Sequence, residues 1–559
     1  MIGLTFLQPL ASRPHVLVLG GGYVPITLTR ELRRPLKRGE LDVTVVSREN
    51  FHIFNGFVGE MITGRIGPGS MLSPVRRIFA PAKIHVAEIE SIDLEARKVV
   101  TSRHLDGARF ELDYDHLVLG LGSVESNDAY PGLAEHAFKL KTFTDCLLLK
   151  NHILEMFELA DIERDPAERR RLLTFVVVGG GYAGTEIAGE LADFARLLTK
   201  REYSGIRREE CRVLIVHPAP TLLPELYGSQ STEGQGRGKS YAKLVDYATR
   251  HSVKLGVELL LETKVVGATP LDVFLSNGEH VPTRTIVSAV GTEAPPLFDT
   301  IEIPRGTRGR VSTDDCLRVE GFEDVWAGGD CAAVPHPHGG TCPPVGIYAL
   351  KHGSRIGKNI RRVVHGKEPE PFRYPGLGQG VSIGGRTAVG EVKGFPVRGH
   401  FAWAIWRFLH FYYFPSWDRR LRLLADWSIW PLVGRDIVQL GRGNQGEYEI
   451  RHQVYQPGQV IADRARPVRQ VHVIVEGEVE LVLGEEIVEN LRAGDHFGRK
   501  SIELSRADTA RARTLVRTVA LRADQANELQ DMLLSTDRIV ARTAAFQTIR
   551  TEDLQQSSD

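Results

Sequence analysis

Val16-Leu-Val-Leu-Gly-Gly-Gly-Tyr23 and Val176-Val-Val-Gly-Gly-Gly-Tyr182 carry one pattern, a short apolar run that meets three glycines and then a helical sequence. Strand, glycine loop and helix in that order make a phosphate-binding turn. The first glycine allows the tight bend, the second lets backbone amides approach a pyrophosphate, and the third lets helix and strand pack closely. The helix N-terminus then turns its free N–H groups toward the anion. One such loop is weak evidence, whereas two copies a domain apart predict two dinucleotide sites. The second copy is complete, with Gly179, Gly181 and Gly184 leading into Thr185-Glu-Ile-Ala-Gly-Glu-Leu191. The first keeps Gly20 and Gly22 but has Pro25 at the third position. A helix tolerates proline in its first turn, where no amide donor is needed.

Strand and helix patterns alternate around these loops to about residue 360, which predicts an α/β architecture of parallel sheets with helices on their faces. Tyr227 to Ser240, rich in glycine and polar residues, reads as a flexible loop within the second unit. The composition then shifts twice. Residues 401–430 are crowded with aromatics, and the chain beyond about residue 445 breaks into short alternating strands bounded by Pro457-Gly458, Gly477, Gly484 and Gly494, a small β-rich domain. The expected organisation is a first Rossmann-like domain over 1–150, a second over 151–290, a return to the first over 291–395, an aromatic amphipathic segment over 396–445, and the β-rich domain over 446–559.

With 559 residues, 42% hydrophobic and 25% charged, the chain has the composition of an ordinary soluble multidomain protein. Seventy basic residues balance seventy acidic ones, so nothing points to nucleic acid. Cys146, Cys211, Cys316, Cys331 and Cys342 form no close-spaced pair, which indicates neither a metal site nor a redox disulfide. Residues 1–14 lack the charged-then-apolar pattern of a signal peptide.

Val43-Thr-Val-Val-Ser-Arg-Glu-Asn-Phe-His52, Tyr114-Asp-His-Leu-Val-Leu-Gly-Leu-Gly-Ser123, Pro131-Gly-Leu133 and Val325-Trp-Ala-Gly-Gly-Asp330 follow the first loop in the order seen in two-dinucleotide flavoproteins. With the aromatic tail, residues 14 to about 440 resemble type II NADH dehydrogenases, single-chain membrane-surface flavoenzymes that pass electrons from NADH to quinone without pumping protons. The resemblance implies FAD at the first loop, with Gly20, Gly22, Gly120 and Gly122 near its pyrophosphate and Asp330 at the ribityl or pyrophosphate region. It also implies a nicotinamide nucleotide at Gly179, Gly181, Gly184 and Gly291. A place at the cytoplasmic face of the cell membrane and a homodimer are expected on the same ground.

Departures from the family pattern are as informative. Ser47-Arg48, with Glu49 beyond, stand where an acid usually meets the FAD ribose, and His217 stands where NAD-preferring relatives carry an acid. NADH is expected and NADPH stays open, with Arg207, Arg208 and Arg212 as candidate sources of positive charge. Glu186 matches the family's glutamate near the flavin and acceptor path; the same position also suits a first-turn acid favoured by the macrodipole. In Cys342-Pro-Pro-Val-Gly-Ile-Tyr-Ala-Leu-Lys-His-Gly353, Ile347 and Lys351 or His352 replace the glutamines that usually line the quinone pocket, and Arg386 matches a basic position near the acceptor.

The aromatic stretch holds five of the six tryptophans and is too short to span a bilayer. Trp417, Leu421, Leu424 and Trp427 share one helical face and Arg419, Arg422 and Asp426 another, so residues 401–430 read as a membrane-surface segment or as a seam against another surface. Tyr455-Gln-Pro-Gly-Gln-Val-Ile461, Val473-Ile-Val-Glu-Gly-Glu-Val-Glu-Leu481, Leu491-Arg-Ala-Gly-Asp-His-Phe-Gly498 and Ala510-Arg-Ala-Arg-Thr514 give residues 448–545 a pattern that resembles a cyclic nucleotide-binding β-roll. That resemblance offers Arg511 to a cyclic phosphate, but Arg499-Lys500 stand where the family places its ribose-binding glutamate. A nucleotide-blind regulatory or protein-docking module is therefore expected over a cyclic-nucleotide sensor. A second reading of the whole chain is a low-turnover flavin-containing signalling or scaffold protein. A sulfide:quinone reductase reading lacks its cysteine, because Thr185-Glu186 occupy the place beside the second loop.

Overall fold

The computed structural model describes residues 13–127, 130–228, 237–440, 451–464, 470–498, 505 and 507–522. The chain divides into two compact units, one of residues 1–127, 138–264 and 283–439 and another of residues 128–137, 265–282 and 440–559.

The principal elements of the first unit are β1 (His15–Leu19), α1 (Tyr23–Arg38), β2 (Asp42–Ser47), α2 (Val58–Ile62), β3 (Lys83–Val86), β4 (His116–Leu119), α3 (Phe143–Ile162), β5 (Thr174–Val178), α4 (Tyr182–Arg201), β6 (Arg212–Val216), α5 (Arg237–Leu255), β7 (Val257–Leu260), β8 (Thr285–Ser288), β9 (Val325–Ala327), α6 (Gly346–Val364), β10 (Gly378–Ser382), β11 (Ala388–Val392), β12 (Phe395–Arg398), α7 (Gly399–Tyr413) and α8 (Trp417–Val433). Strands β9, β4, β1, β2 and β3 lie side by side in that order, all parallel. Strands β8, β5, β6 and β7 repeat the arrangement. In each sheet the glycine-loop strand, β1 or β5, sits where the chain has built outward on one side before returning on the other. A ligand crevice opens at such a switch point, beyond the carboxyl ends of the strands. Val16 to Leu19 are fully buried, as expected of a parallel strand covered on both faces. The end of the Tyr227–Ser240 stretch departs from the loop expectation: Arg237 to Ser240 begin α5, because the helical pattern of Tyr241, Leu244, Val245 and Ala248 extends back over them. Residues 229–236 of that stretch lie outside the described residues.

The second unit contains the expected β-roll, with β13 (Arg451–Tyr455), β14 (Val460–Asp463), β15 (Gln470–Glu476), β16 (Val479–Leu483), β17 (Glu486–Leu491), β18 (His496–Gly498), β19 (Thr509–Ala512) and β20 (Val516–Arg522). They form two four-stranded antiparallel sheets, β13–β20–β15–β18 and β14–β19–β16–β17, around Ile474, Val479, Leu481, Phe497, Ala510 and Val516. Residues 265–282, a three-stranded meander, belong to this unit rather than to the nucleotide fold that flanks them in sequence. Within this unit residues 128–137 and the meander meet the strands of the roll through polar contacts: Val454 N–H donates to His136 Nε2 at 2.9 Å, Arg517 pairs with Glu135 at 3.0 Å, and the Gln459 amide donates to Thr269 Oγ1 at 2.9 Å.

Candidate active site

The first loop bends at Gly20, whose φ of +107° places a hypothetical Cβ only 2.3 Å from the Gly120 carbonyl. Only glycine fits there, and strands β1 and β4 close together because of it. Pro25 is buried in the first turn of α1, where its missing N–H breaks no helical bond. Ser47 is tied off: its hydroxyl donates to the Glu49 carbonyl at 2.7 Å and fills the space over Gly21. Arg48 and Glu49 are exposed and lie 3.9 Å apart. At the far side Asp330 accepts from Ser123 Oγ at 3.2 Å, and Lys141 donates to the same hydroxyl at 2.8 Å. Lys141 was not legible in the motif, because it lies outside the loop signatures.

His52 also escaped assignment. It is buried under the loop, 3.1 Å from the Gly21 carbonyl through Nδ1, with Tyr23 edge-on at 4.8 Å and no partner at Nε2. Burial lowers its pKa to about 4, so the ring is neutral and Nδ1 carries the proton that Gly21 accepts. The open helix N-terminus and the cradle that no Cβ could share suit a dinucleotide pyrophosphate at this loop.

The second loop repeats the bend at Gly179 and adds a tighter constraint: a Cβ on Gly184 would lie 1.8 Å from the Gly179 carbonyl, so the third glycine is obligatory here. His217 packs on Gly180 and accepts its N–H through Nδ1 at 3.0 Å. The three arginines proposed as positive charge sit elsewhere. Arg212 begins β6, at the opposite end of the strand from His217, and pairs with Glu258 at 2.7 Å; Arg207 faces Glu210, and Arg208 donates to the Ala192 and Leu255 carbonyls. Gly291, with φ +110°, ends the turn after β8.

Glu186 lies on α4 facing Gly59 of α2. Burial holds its carboxyl well above the usual carboxylate range, and Glu190 and Glu60 push in the same direction. It heads a stripe of acids at helical spacing. Glu190 pairs with Arg65 at 3.3 Å, Asp193 with Arg65 at 2.5 Å and also with Arg435, and Glu60 with Arg407 at 3.2 Å and Trp427 Nε1 at 2.9 Å. Glu186, Glu190 and Asp193 at i, i+4 and i+7 on an otherwise apolar helix were the available signal for buried cations, but nothing in sequence chose Arg65, Arg407 and Arg435 as partners.

Helix α6 is fixed to α1 by Thr27 Oγ1, which donates to the Leu350 carbonyl at 2.5 Å. Ile347 and Lys351 fall one turn apart on the same face, with Ile347 half-buried and the Lys351 ammonium 5.4 Å from the Tyr374 ring centre. His352 points the other way, into the core, where Nδ1 accepts the Gly329 N–H at 3.1 Å beside Asp330. Of the two alternatives offered by the sequence, Lys351 shares the Ile347 face and His352 positions backbone.

Helix α8 turns Arg419 and Asp426 inward beside Leu423 and Trp427 and leaves Arg422 exposed. Asp426 accepts from Gly67 N–H at 3.0 Å and Ser70 Oγ at 2.7 Å, and Arg419 donates to the Gly69 carbonyl at 2.9 Å. Trp417, Leu421 and Leu424 face outward, and Trp417 is 72% and Leu432 85% exposed. On α7, Phe401 at 70% and Phe408 at 65% do the same. Among the described residues no helix is long and apolar enough to cross a membrane.

In the β-roll, Arg511 of β19 stands directly across from Glu480 of β16 and pairs with it at 3.0 Å, so its guanidinium is already engaged. Arg499 and Lys500 lie outside the described residues.

Residues 14–353 match the pyridine nucleotide-disulphide oxidoreductase family, and residues 452–532 match the cyclic nucleotide-binding domain. The type II NADH:quinone oxidoreductase NdhA of Mycobacterium tuberculosis is 30% identical over 455 residues, which cover 78% of this chain and 91% of its own. The chain belongs to the type II NADH:quinone oxidoreductases. A type II NADH:quinone oxidoreductase from Staphylococcus aureus is 28% identical over 397 residues, covering 69% of this chain and 92% of its own. The solved structure of NDH2 from Plasmodium falciparum superposes with a TM-score of 0.68 at 16% identity, covering 76% of this chain and 100% of that one, a likeness of fold. The C-terminal cyclic nucleotide-binding domain is an addition to this type II core, beyond residues 14–353.

Proposed function

We propose that this type II enzyme binds FAD at the Gly20 loop and NADH at the Gly179 loop and passes electrons to a membrane quinone. The observation that carries the reading is the pair of glycine loops at the switch points of two parallel sheets within one unit, with Glu186 and the α6 face beside them. Gly20, Gly22, Gly120, Gly122, Ser123 and Asp330 would hold FAD, which when bound supplies a two-electron carrier between donor and acceptor. Gly179, Gly181, Gly184 and Gly291 bring backbone to the nicotinamide nucleotide, and His217 steadies that loop through Gly180. Burial and the neighbouring acids raise the Glu186 carboxyl above its ordinary range and favour its protonated form, which could deliver a proton to a reduced acceptor. Ile347 offers an apolar wall, and Lys351 a cation, on the α6 face.

The outward apolar faces of α7 and α8 support a peripheral place on a membrane surface, which would bring the site to a lipid-soluble acceptor. Steady-state NADH oxidation tests the activity, with a short-chain quinone and with ferricyanide as acceptors. Turnover with both is expected. Ferricyanide reduction alone would overturn quinone as the acceptor, and turnover with neither would favour the low-turnover scaffold reading.

A further inference from the structure

Between the β10–β11 turn and helices α7 and α8 lies a cavity of about 210 Å³ lined by Arg386, Trp403, Arg407, Trp427, Trp430 and Pro431. We propose that it binds the phosphate headgroup of an anionic phospholipid; the assignment rests on the membrane-surface reading of α7 and α8.

The two arginines play different parts. Arg407 is buried between tryptophans, 4.7 Å from the Trp403 ring centre and 3.9 Å from that of Trp427, and its charge is matched by Glu60 at 3.2 Å. Arg386 lies 5.0 Å over the Trp430 ring and has no carboxylate within ion-pair distance among the described residues. Arg65, Arg407 and Arg435 are already balanced by Glu190, Glu60 and Asp193. Arg386 is therefore the exposed, unpaired cation at the rim of an otherwise charge-balanced cluster, and an anion arriving at the cavity from the surface would pair with it. Its backbone is held at φ +58° at the tip of a hairpin, a conformation that bulky L-residues adopt rarely. The His400 ring fixes the tip by donating from Nδ1 to the Arg386 carbonyl at 2.7 Å.

The surroundings choose between a soluble anion and a lipid. Phe401, Phe408, Ile429, Leu432 and Val433 are exposed on the same two helices. A soluble phosphate gains nothing from such a surface, whereas a phospholipid offers acyl chains to these side chains and a phosphate to the guanidinium. Indole rings suit the level between the two.

The test uses the full-length, FAD-loaded protein in flotation assays with vesicles of phosphatidylcholine alone or mixed with phosphatidylglycerol. Variants Arg386→Gln, Arg386→Lys and Arg422→Gln are compared, the last removing an equal charge from α8 outside the cavity. Flavin absorbance and thermal unfolding confirm that each is folded. The expected result is wild-type binding roughly fivefold or more tighter to the mixed vesicles, a scale of one well-placed cation at an anionic surface. That preference is lost in Arg386→Gln, partly kept in Arg386→Lys and kept in Arg422→Gln. Equal binding to both vesicles, or equal loss in Arg386→Gln and Arg422→Gln, overturns the headgroup site while leaving the membrane reading intact. Binding to neither overturns both. Saturable quenching of tryptophan fluorescence by inorganic phosphate, with no vesicle preference, would assign the cavity to a soluble anion and overturn the lipid.

Discussion

Gly180 donates its backbone N–H to Nδ1 of His217 at 3.0 Å, and the imidazole is packed against the glycine loop that receives the nucleotide. An acceptor Nδ1 requires the proton on Nε2, and burial lowers the ring's pKa, so His217 brings no positive charge to the end of β6.

The donor preference follows. A 2′-phosphate needs a guanidinium or ammonium to replace its hydration, and Arg207 and Arg212 are spent on Glu210 and Glu258. We expect kcat/KM for NADH to exceed that for NADPH by at least about tenfold, the equivalent of one lost charge-assisted hydrogen bond. Parallel steady-state titrations with the two donors check it; a ratio near one would refute it.

Glu225 makes a second prediction. Its carboxylate accepts the Tyr182 N–H at 3.3 Å and occupies the space over Gly181, at the N-terminus of α4. A pyrophosphate approaching those amides meets an anion already there. Glu225→Gln should lower the KM for NADH by roughly threefold to tenfold with little change in kcat, a gain of about 1 kcal/mol in binding. An unchanged or raised KM would show that the carboxylate does not compete.

Glu186→Gln separates positioning from proton supply. The amide keeps the shape but cannot release a proton, so turnover with quinone should fall by roughly 100-fold while ferricyanide reduction, which takes no proton, stays near wild type. The same variant has a stability signature. A carboxyl raised in the folded state contributes stability below its unfolded pKa and loses it as pH rises, so Glu186→Gln should match or exceed the wild-type unfolding temperature at pH 8. Equal losses with both acceptors would make the residue structural.

How much of this was legible in the sequence depended on whether the signal was local. The glycine loops, the strands before them and the β-roll were, because each is written in a few adjacent residues whose steric demands are strict. Partners were not. His52 and Lys141 reach the first loop from outside its motif, Arg65 and Arg435 converge from separate segments on Glu190 and Asp193 of α4, and Arg407 reaches Glu60. Spacing placed Trp417, Leu421, Leu424 and Trp427 on one face of α8, and packing divides that face: the first three turn outward, whereas Trp427 turns in and donates Nε1 to Glu60. Arg511 looked available in sequence because its cross-strand neighbour, Glu480, lies 31 positions away.

That pairing sets the outcome for the C-terminal domain. A cyclic phosphate would have to displace Glu480 from Arg511, and Arg513 also reaches Glu480 at 3.7 Å, so the carboxylate is held from two sides. Calorimetric titration of cyclic AMP and cyclic GMP into the full chain should show no saturable heat. Glu480→Gln, which frees Arg511, is the variant in which binding would first emerge; tight binding by wild type would refute the expectation.

Acid stability provides the last prediction. His52 and His352 are buried beneath the first loop and beside Asp330, with pKa values lowered by burial to about 4 and about 3. Unfolded, each takes a proton near pH 6.5; folded, neither does until far lower. Below pH 6.5 the unfolded chain therefore binds more protons than the folded one, and stability falls as pH falls from about 6.5 toward 4. At pH 5 the loss is roughly 2 kcal/mol for each ring. Unfolding midpoints measured between pH 7.5 and 5 should drop steadily, and His352→Gln, lower at pH 7.5 because the Gly329 contact is disturbed, should show a shallower slope. A slope unchanged in that variant would mean that His352 becomes protonated in the folded protein and that its neutral ring is not what holds Gly329.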